Sequence, residues 1–85
     1  MVALNHAVAV GMSGGLEQGL ALIDQLGSTG KLDEYYLFHA ARADILRRLD
    51  RPEEAKKAYG KALELTANEV EQAFLRRRLM QLARH

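Results

Sequence analysis

Four stretches carry residue types whose spacing suggests chemistry. Gly11-Met12-Ser13-Gly14-Gly15 fits G-x-S-x-G, the pattern that sets a serine nucleophile on a sharp turn. That chemistry needs a strand before the serine, a helix after it, and a histidine and an acid from the same α/β sheet. Here a helical stretch precedes Ser13 and nothing reads as sheet, so the string is an interhelical turn. Gly27-Ser28-Thr29-Gly30-Lys31 has the ending of a phosphate-binding loop, but Gln25 stands where the first glycine belongs. Leu32 occupies the position of the magnesium-binding hydroxyl, so this too is a connecting loop. His6, His39 and His85 lack metal-ligand spacing. The acid pairs Asp33-Glu34 and Glu53-Glu54 sit at expected helix starts, where negative charge favours the macrodipole. No catalytic residue, metal or cofactor is expected, and the chain does not read as an enzyme.

The other two stretches are basic. Arg76-Arg77-Arg78 spreads over most of a helix circumference rather than forming one patch, and Arg47, Arg48 and Arg51 make a second group. Solvated faces and salt bridges account for both. A phosphate-binding surface is the sharper reading, which a net charge of +1 does not favour. The charge is nonetheless uneven, with Glu17 and Asp24 the only charged Asp, Glu, Lys or Arg side chains before Lys31.

These side chains must be positioned by helices. Eighty-five residues make one small domain, 48% hydrophobic and 27% charged. There is no cysteine and one proline, and β-branched residues thin out after Ile23, all of which favours helix. No apolar run reaches the roughly 18 residues of a membrane span. The apolar start lacks the basic region of a signal peptide. Val2 to Met12 reads as a helix apolar almost all round, followed by a Ser13-Gly14-Gly15 turn. Leu16 to Leu26 is the second helix, with Gly19 at a close-contact position and Gly27 ending it. A third helix, capped by Asp33 or a near neighbour, runs to about Leu49, and its apolar set includes Tyr36, Leu37, Ala40, Ala43, Leu46 and Leu49. Asp50 and Glu53 form a capping box for a fourth helix, with Pro52 in its first turn. Asn68 and Glu71 repeat that box for a fifth helix, which offers Val70, Phe74, Leu75, Leu79 and Leu82 for burial.

The fourth helix carries the stripe Ala55, Ala58, Tyr59, Ala62, Leu63. Its small–aromatic–small order resembles the second helix of a tetratricopeptide (TPR) repeat, a helix–turn–helix unit of about 34 residues. In that register Ala43 is the small residue of the first helix, Leu46 its large apolar one, and Asp50 the turn position where glycine is common. Arg42 replaces the usual leucine and Ala67 the usual proline. The pattern occurs twice: positions 7 and 43, 14 and 50, 19 and 55, and 23 and 59 are each 36 apart. The expected fold is all-α: two TPR-like antiparallel hairpins closed by a C-terminal capping helix. Ala55 and Ala62 should be buried against the third helix. First-helix positions that point into a TPR groove map to Leu4, Val8, Leu37, Ala40, Asp44, Arg47 and Arg48, the candidate partner-binding face. An end helix as apolar as Val2 to Met12 also predicts a homodimer through that helix, with Val2 and Ala9 outward.

The strings ALNHAVAV, GLALID, YYLFHAARADILRRL, EEAKKAYGKALEL and NEVEQAFLRRRL follow in order. Together they resemble the TPR-like C-terminal extension of a bacterial group of extracytoplasmic-function (ECF) RNA polymerase sigma factors. The resemblance covers Ala3 to about Leu82, with HAARADILRRL and FLRRRL its most specific parts. It implies a cytoplasmic transcription initiation factor from which this single domain, residues 1–85, is one piece. The implied role is regulation of initiation through contacts with the sigma-factor core regions, RNA polymerase or a regulator protein, with no DNA readout by this domain. A free-standing TPR-like adaptor that holds a peptide or protein in its groove is the alternative.

Overall fold

The computed structural model describes residues 2–83, the side chain of Val2 excepted. Two left-handed residues set its architecture. Gly14 has φ 107° and Asp50 has φ 59°. After the first, the Gly15 N–H donates to Val10 O at 3.2 Å; after the second, the Arg51 N–H donates to Leu46 O at 3.0 Å. The matching pairs continue on both sides. Ser13 N–H reaches Ala9 O and Leu49 N–H reaches Ile45 O; Gly19 N–H reaches Gly15 O and Ala55 N–H reaches Arg51 O. Donors and acceptors in each pair stand 36 positions apart, so the repeat read from side chains is also a repeat of the backbone.

Five helices result: α1 Val2–Met12, α2 Leu16–Gly27, α3 Tyr36–Arg48, α4 Pro52–Leu65 and α5 Glu69–Ala83. The described residues contain no strand. α1 packs on α2 and α3 on α4, giving two hairpins. α3 also lies against α2 and α1, and α5 closes the stack on α4. The fold is therefore all-α, with the expected five-helix order.

The ends of the helices differ from expectation in three places. Asp50 does not cap α4. It terminates α3, where its N–H bonds Arg47 O at 3.1 Å and the Arg51 N–H bonds Leu46 O, the paired bonds of a Schellman motif. A residue held left-handed cannot take the extended backbone of an N-cap. Arg51 is the N-cap instead, without a side-chain cap bond, and its guanidinium grips Glu54 through two bonds of 2.9 and 2.7 Å. Asp33 does not cap α3; it lies in a turn, and α3 begins after Tyr35. The Asp33 carbonyl oxygen accepts a bond from His39 Nε2 at 2.8 Å, which places the proton on that nitrogen. Gly27 is not a left-handed terminator either. A Cβ there would stand 2.7 Å from Phe38 Cζ, so the glycine makes room for a ring.

The Asn68 cap forms with a change of partner. Its Oδ1 accepts the Glu71 N–H at 3.0 Å, but the Glu71 carboxylate accepts from the Thr66 hydroxyl at 2.9 Å. That hydroxyl in turn accepts the Asn68 N–H at 3.2 Å.

The core holds Ala43, Ala55 and Ala62 fully buried beside Tyr59, Ile23, Ile45, Leu46 and Leu75. Leu37, of the expected apolar set and also mapped to the groove side, is exposed, while Phe38 and Ile45, which that set did not name, are buried. α3 has hairpin neighbours on two sides, so it needs two apolar faces, and a single-stripe reading finds only one. Phe38 meets Gly27 of α2, and Ile45 lies where a Cβ on Gly11 of α1 would fall. Val70 and Phe74 are also exposed; α5 buries Leu75 and Leu82 instead. Arg42, in the usual leucine position, reaches back to Asp24 of α2 at 2.8 Å and ties the hairpins together.

Candidate partner-binding face

Asp44 is the hinge of the charged residues on α3. It stands three and four positions before Arg47 and Arg48, the spacing at which helical side chains meet. Its Oδ1 accepts from Arg47 at 2.7 Å and its Oδ2 from Arg48 at 3.0 Å. One carboxylate thus orients two guanidiniums. Arg47 turns towards the far end of α5 and shares a cleft with Gln81 and Leu82. Arg48 turns the other way and shares a cleft with Met12 of α1 and Gly14.

The electrostatics follow from this geometry. Partial burial pushes the Asp44 carboxyl up, but the bonds from Arg47 and Arg48, and their charges, outweigh it and hold the group below the ordinary carboxylate value. Burial would lower Arg47, yet bonds to Asp44 and Tyr59 raise it, so its charge is secure. The Tyr59 hydroxyl accepts from Arg47 Nε at 3.3 Å. Its own ionisation is pushed up, chiefly by burial. On the N-terminal side of the same helix, burial and the nearby Glu71 carboxylate raise Tyr36.

The seven candidate residues do not share one surface. Leu4 is a core residue at 4% exposure, because α1 needs it against its neighbours, and it is removed from the face. Val8 and Ala40 are half-buried against the core. Leu37 is open, and Arg48 is exposed on about half its side chain, at 47%. Asp44 and Arg47 are each 26% exposed. The accessible part is therefore an apolar stretch at Leu37 and a charged node at Asp44, Arg47 and Arg48. Arginine keeps several of its five N–H donors free when one carboxylate is bound, so the node can also accept a carboxylate from a partner.

Sequence reasoning missed two contributors. Tyr59 reads as a packing residue, although its hydroxyl anchors Arg47; that it is tyrosine rather than phenylalanine is the available signal. Arg78 reads as one of three surface arginines, but it is half-buried over the Phe74 ring, 5.1 Å from the centroid, and donates to Gln81 at 3.1 Å. Its Nε has no hydrogen-bond partner among the described residues. Arg76 and Arg77 are exposed.

The strings that suggested catalysis lie in turns. Ser13 Oγ donates to Val10 O, and Ser28 and Thr29 donate to the carbonyls of Gln25 and Leu26. Among the described residues no three acids, histidines or cysteines gather to hold a metal, and His85 lies outside them. No described helix is long and apolar enough to cross a membrane.

No protein-family model matches the chain, and no solved structure matches it. An uncharacterized protein of Rhizobium meliloti (strain 1021) is 39% identical over 83 residues, covering 98% of this chain and 19% of that protein. The chain thus spans about a fifth of the length of the curated relative it matches.

Proposed function

We propose that this chain is the regulatory, protein-interaction unit of an ECF-type RNA polymerase sigma factor. In this reading it works in the bacterial cytoplasm and modulates initiation by contacting the sigma-factor core regions, the polymerase or a regulator. One observation carries the reading. HAARADILRRL, one of the two strings most specific to the resemblance, makes up most of α3 and its C-cap, and three of its charged residues, Asp44, Arg47 and Arg48, join in one ion-paired, partly exposed node. The matching of nearly this whole chain to a small part of a much longer relative is consistent with a unit within a larger protein.

The first test is the reading frame. Sigma regions encoded ahead of residue 1 support the proposal, and a frame that lacks them overturns it in favour of an adaptor. The second is binding of the isolated domain to sigma core regions and polymerase. Arg47→Glu with Arg48→Glu should weaken that binding about tenfold or more, with the helical circular dichroism retained. Binding unaffected by both reversals would remove the node from the interface.

A further inference from the structure

Five large apolar side chains are exposed among the described residues, and three of them, Val70, Phe74 and Met80, lie on α5. Val70 is 78% exposed and Met80 60%. With 3.6 residues per turn, Val70, Ala73, Phe74, Arg77 and Met80 fall on one side of the helix. Leu75, Leu79 and Leu82, the side that packs inward, fall opposite. The outer face thus carries three large apolar side chains around Arg77, and among the described residues no helix packs on it. On α1, by contrast, Met12 is the one large apolar side chain exposed among those described, and the side chain of Val2 lies outside them. The larger group of exposed apolar side chains among the described residues is therefore on α5.

We propose that the outer face of α5 pairs with the same face of a second copy, antiparallel, about a two-fold axis. Charge decides both the occupant and the direction. Glu69 opens the helix at one edge of this face; two turns later Arg76 stands at the same edge and Arg77 within the face, all exposed. None of the three takes part in a salt bridge among the described residues. Antiparallel pairing sets the acidic end of each helix alongside the arginines of the other, whereas parallel pairing sets arginine on arginine. The face is self-complementary in the sense a two-fold contact requires. Ala73, at its middle, is small enough to let two helices approach. A helix of 15 residues is about 22 Å long. One such contact buries less than the roughly 800 Å² per partner of a standard interface, so the dimer is weak and reversible. This inference does not depend on the sigma-factor reading.

Sedimentation equilibrium of the intact chain from about 10 µM to about 1 mM is the test, with dimer expected to appear in the upper part of that range. Val70→Ser with Met80→Ser should raise the dissociation constant about tenfold or more without lowering the thermal midpoint, since both side chains are already in water. A charge exchange tests direction. Glu69→Lys makes the face wholly basic, and Arg76→Glu with Arg77→Glu makes it wholly acidic. Each variant alone should be monomeric, and an equal mixture should restore the dimer. A monomer at the highest concentration overturns the proposal and leaves the face to a different protein. Failure of the mixture to associate overturns the antiparallel arrangement.

Discussion

Asp50 occupies a left-handed position that glycine fills at no steric cost. The side chain therefore raises the energy of the folded state, and Asp50→Gly should stabilise the protein by about 0.5–1 kcal/mol in urea titration, somewhat less than the full left-handed penalty because the more flexible glycine also gains unfolded-state entropy. Asp44 offers the opposite case. Its carboxyl is held below the ordinary value near 3.9 by its two arginines. The stability it supplies is present above that ordinary value and is lost as pH falls through the lower folded one. Asp44→Asn should cost about 1 kcal/mol near neutral pH, and the gap between variant and parent should close as pH falls below the ordinary carboxylate value and through the lower folded one. A gap independent of pH would mean the ion pairs contribute nothing. The adjacency of Asp44, Arg47 and Arg48 was legible in the sequence, because spacing alone sets which helical residues are neighbours. Tyr59 was not, since its hydroxyl finds Arg47 on another helix and no local spacing reports that. Arg78 meets Phe74 and Gln81 at helical spacing on its own α5, a pairing that a reading of the three arginines as one solvated run passes over.

At the scale of helices, what could be read depended on how many apolar faces each one carries. α2 and α4 pack through single stripes, and Ile23, Ala55, Tyr59 and Ala62 are buried where periodicity puts them. α3 and α5 each carry two apolar faces, and the pattern does not say which face finds a neighbour. Glycines separate the same way. A Cβ on Gly19 would stand 2.7 Å from Gly11 Cα and 3.0 Å from Ala7 O, which is backbone on both counts. Gly19→Ala should force α1 and α2 apart and cost about 1–3 kcal/mol. Gly60, inside α4, has nothing within 4 Å of its Cβ position. There Gly60→Ala should stabilise by about 1 kcal/mol through helix propensity alone. Thermal melts of the two variants should move in opposite directions.

The molecule as a whole is a short linear array. α3 touches α1, α2 and α4, whereas the backbone of α5 packs closely on α4 alone. Stability in such an array is a sum of neighbour terms, so its end should open before its middle. Amide hydrogens of α5 should exchange faster than those of α3 and α4. Leu75→Ala, at a fully buried position, should cost about 2–4 kcal/mol and fall hardest on α5 protection. Equal protection along all five helices would show one indivisible unit instead. The two-hairpin order was legible because the left-handed turns and small contact residues recur together. The outward side of α5 was not, because burial at the end of an array depends on what lies beyond it.

The two hairpins also solve a sorting problem. With the same turns and the same backbone register, α1 and α3 present equivalent seats, and a folding chain that set α4 on α1 would satisfy the same turn geometry. What fills the seats differs. Between α1 and α2 the contact is Gly11 against Gly19, so close that no side chain fits. Between α3 and α4 the corresponding places hold Arg47 and Ala55, and Arg47 is bonded to the Tyr59 hydroxyl. An exchange would press Ala55 into a seat cut for glycine and leave Arg47 facing Ile23, which accepts no bond. Mispairing of like units is a characteristic error of repeat proteins, and here the small differences between two near copies make each helix recognise its own partner.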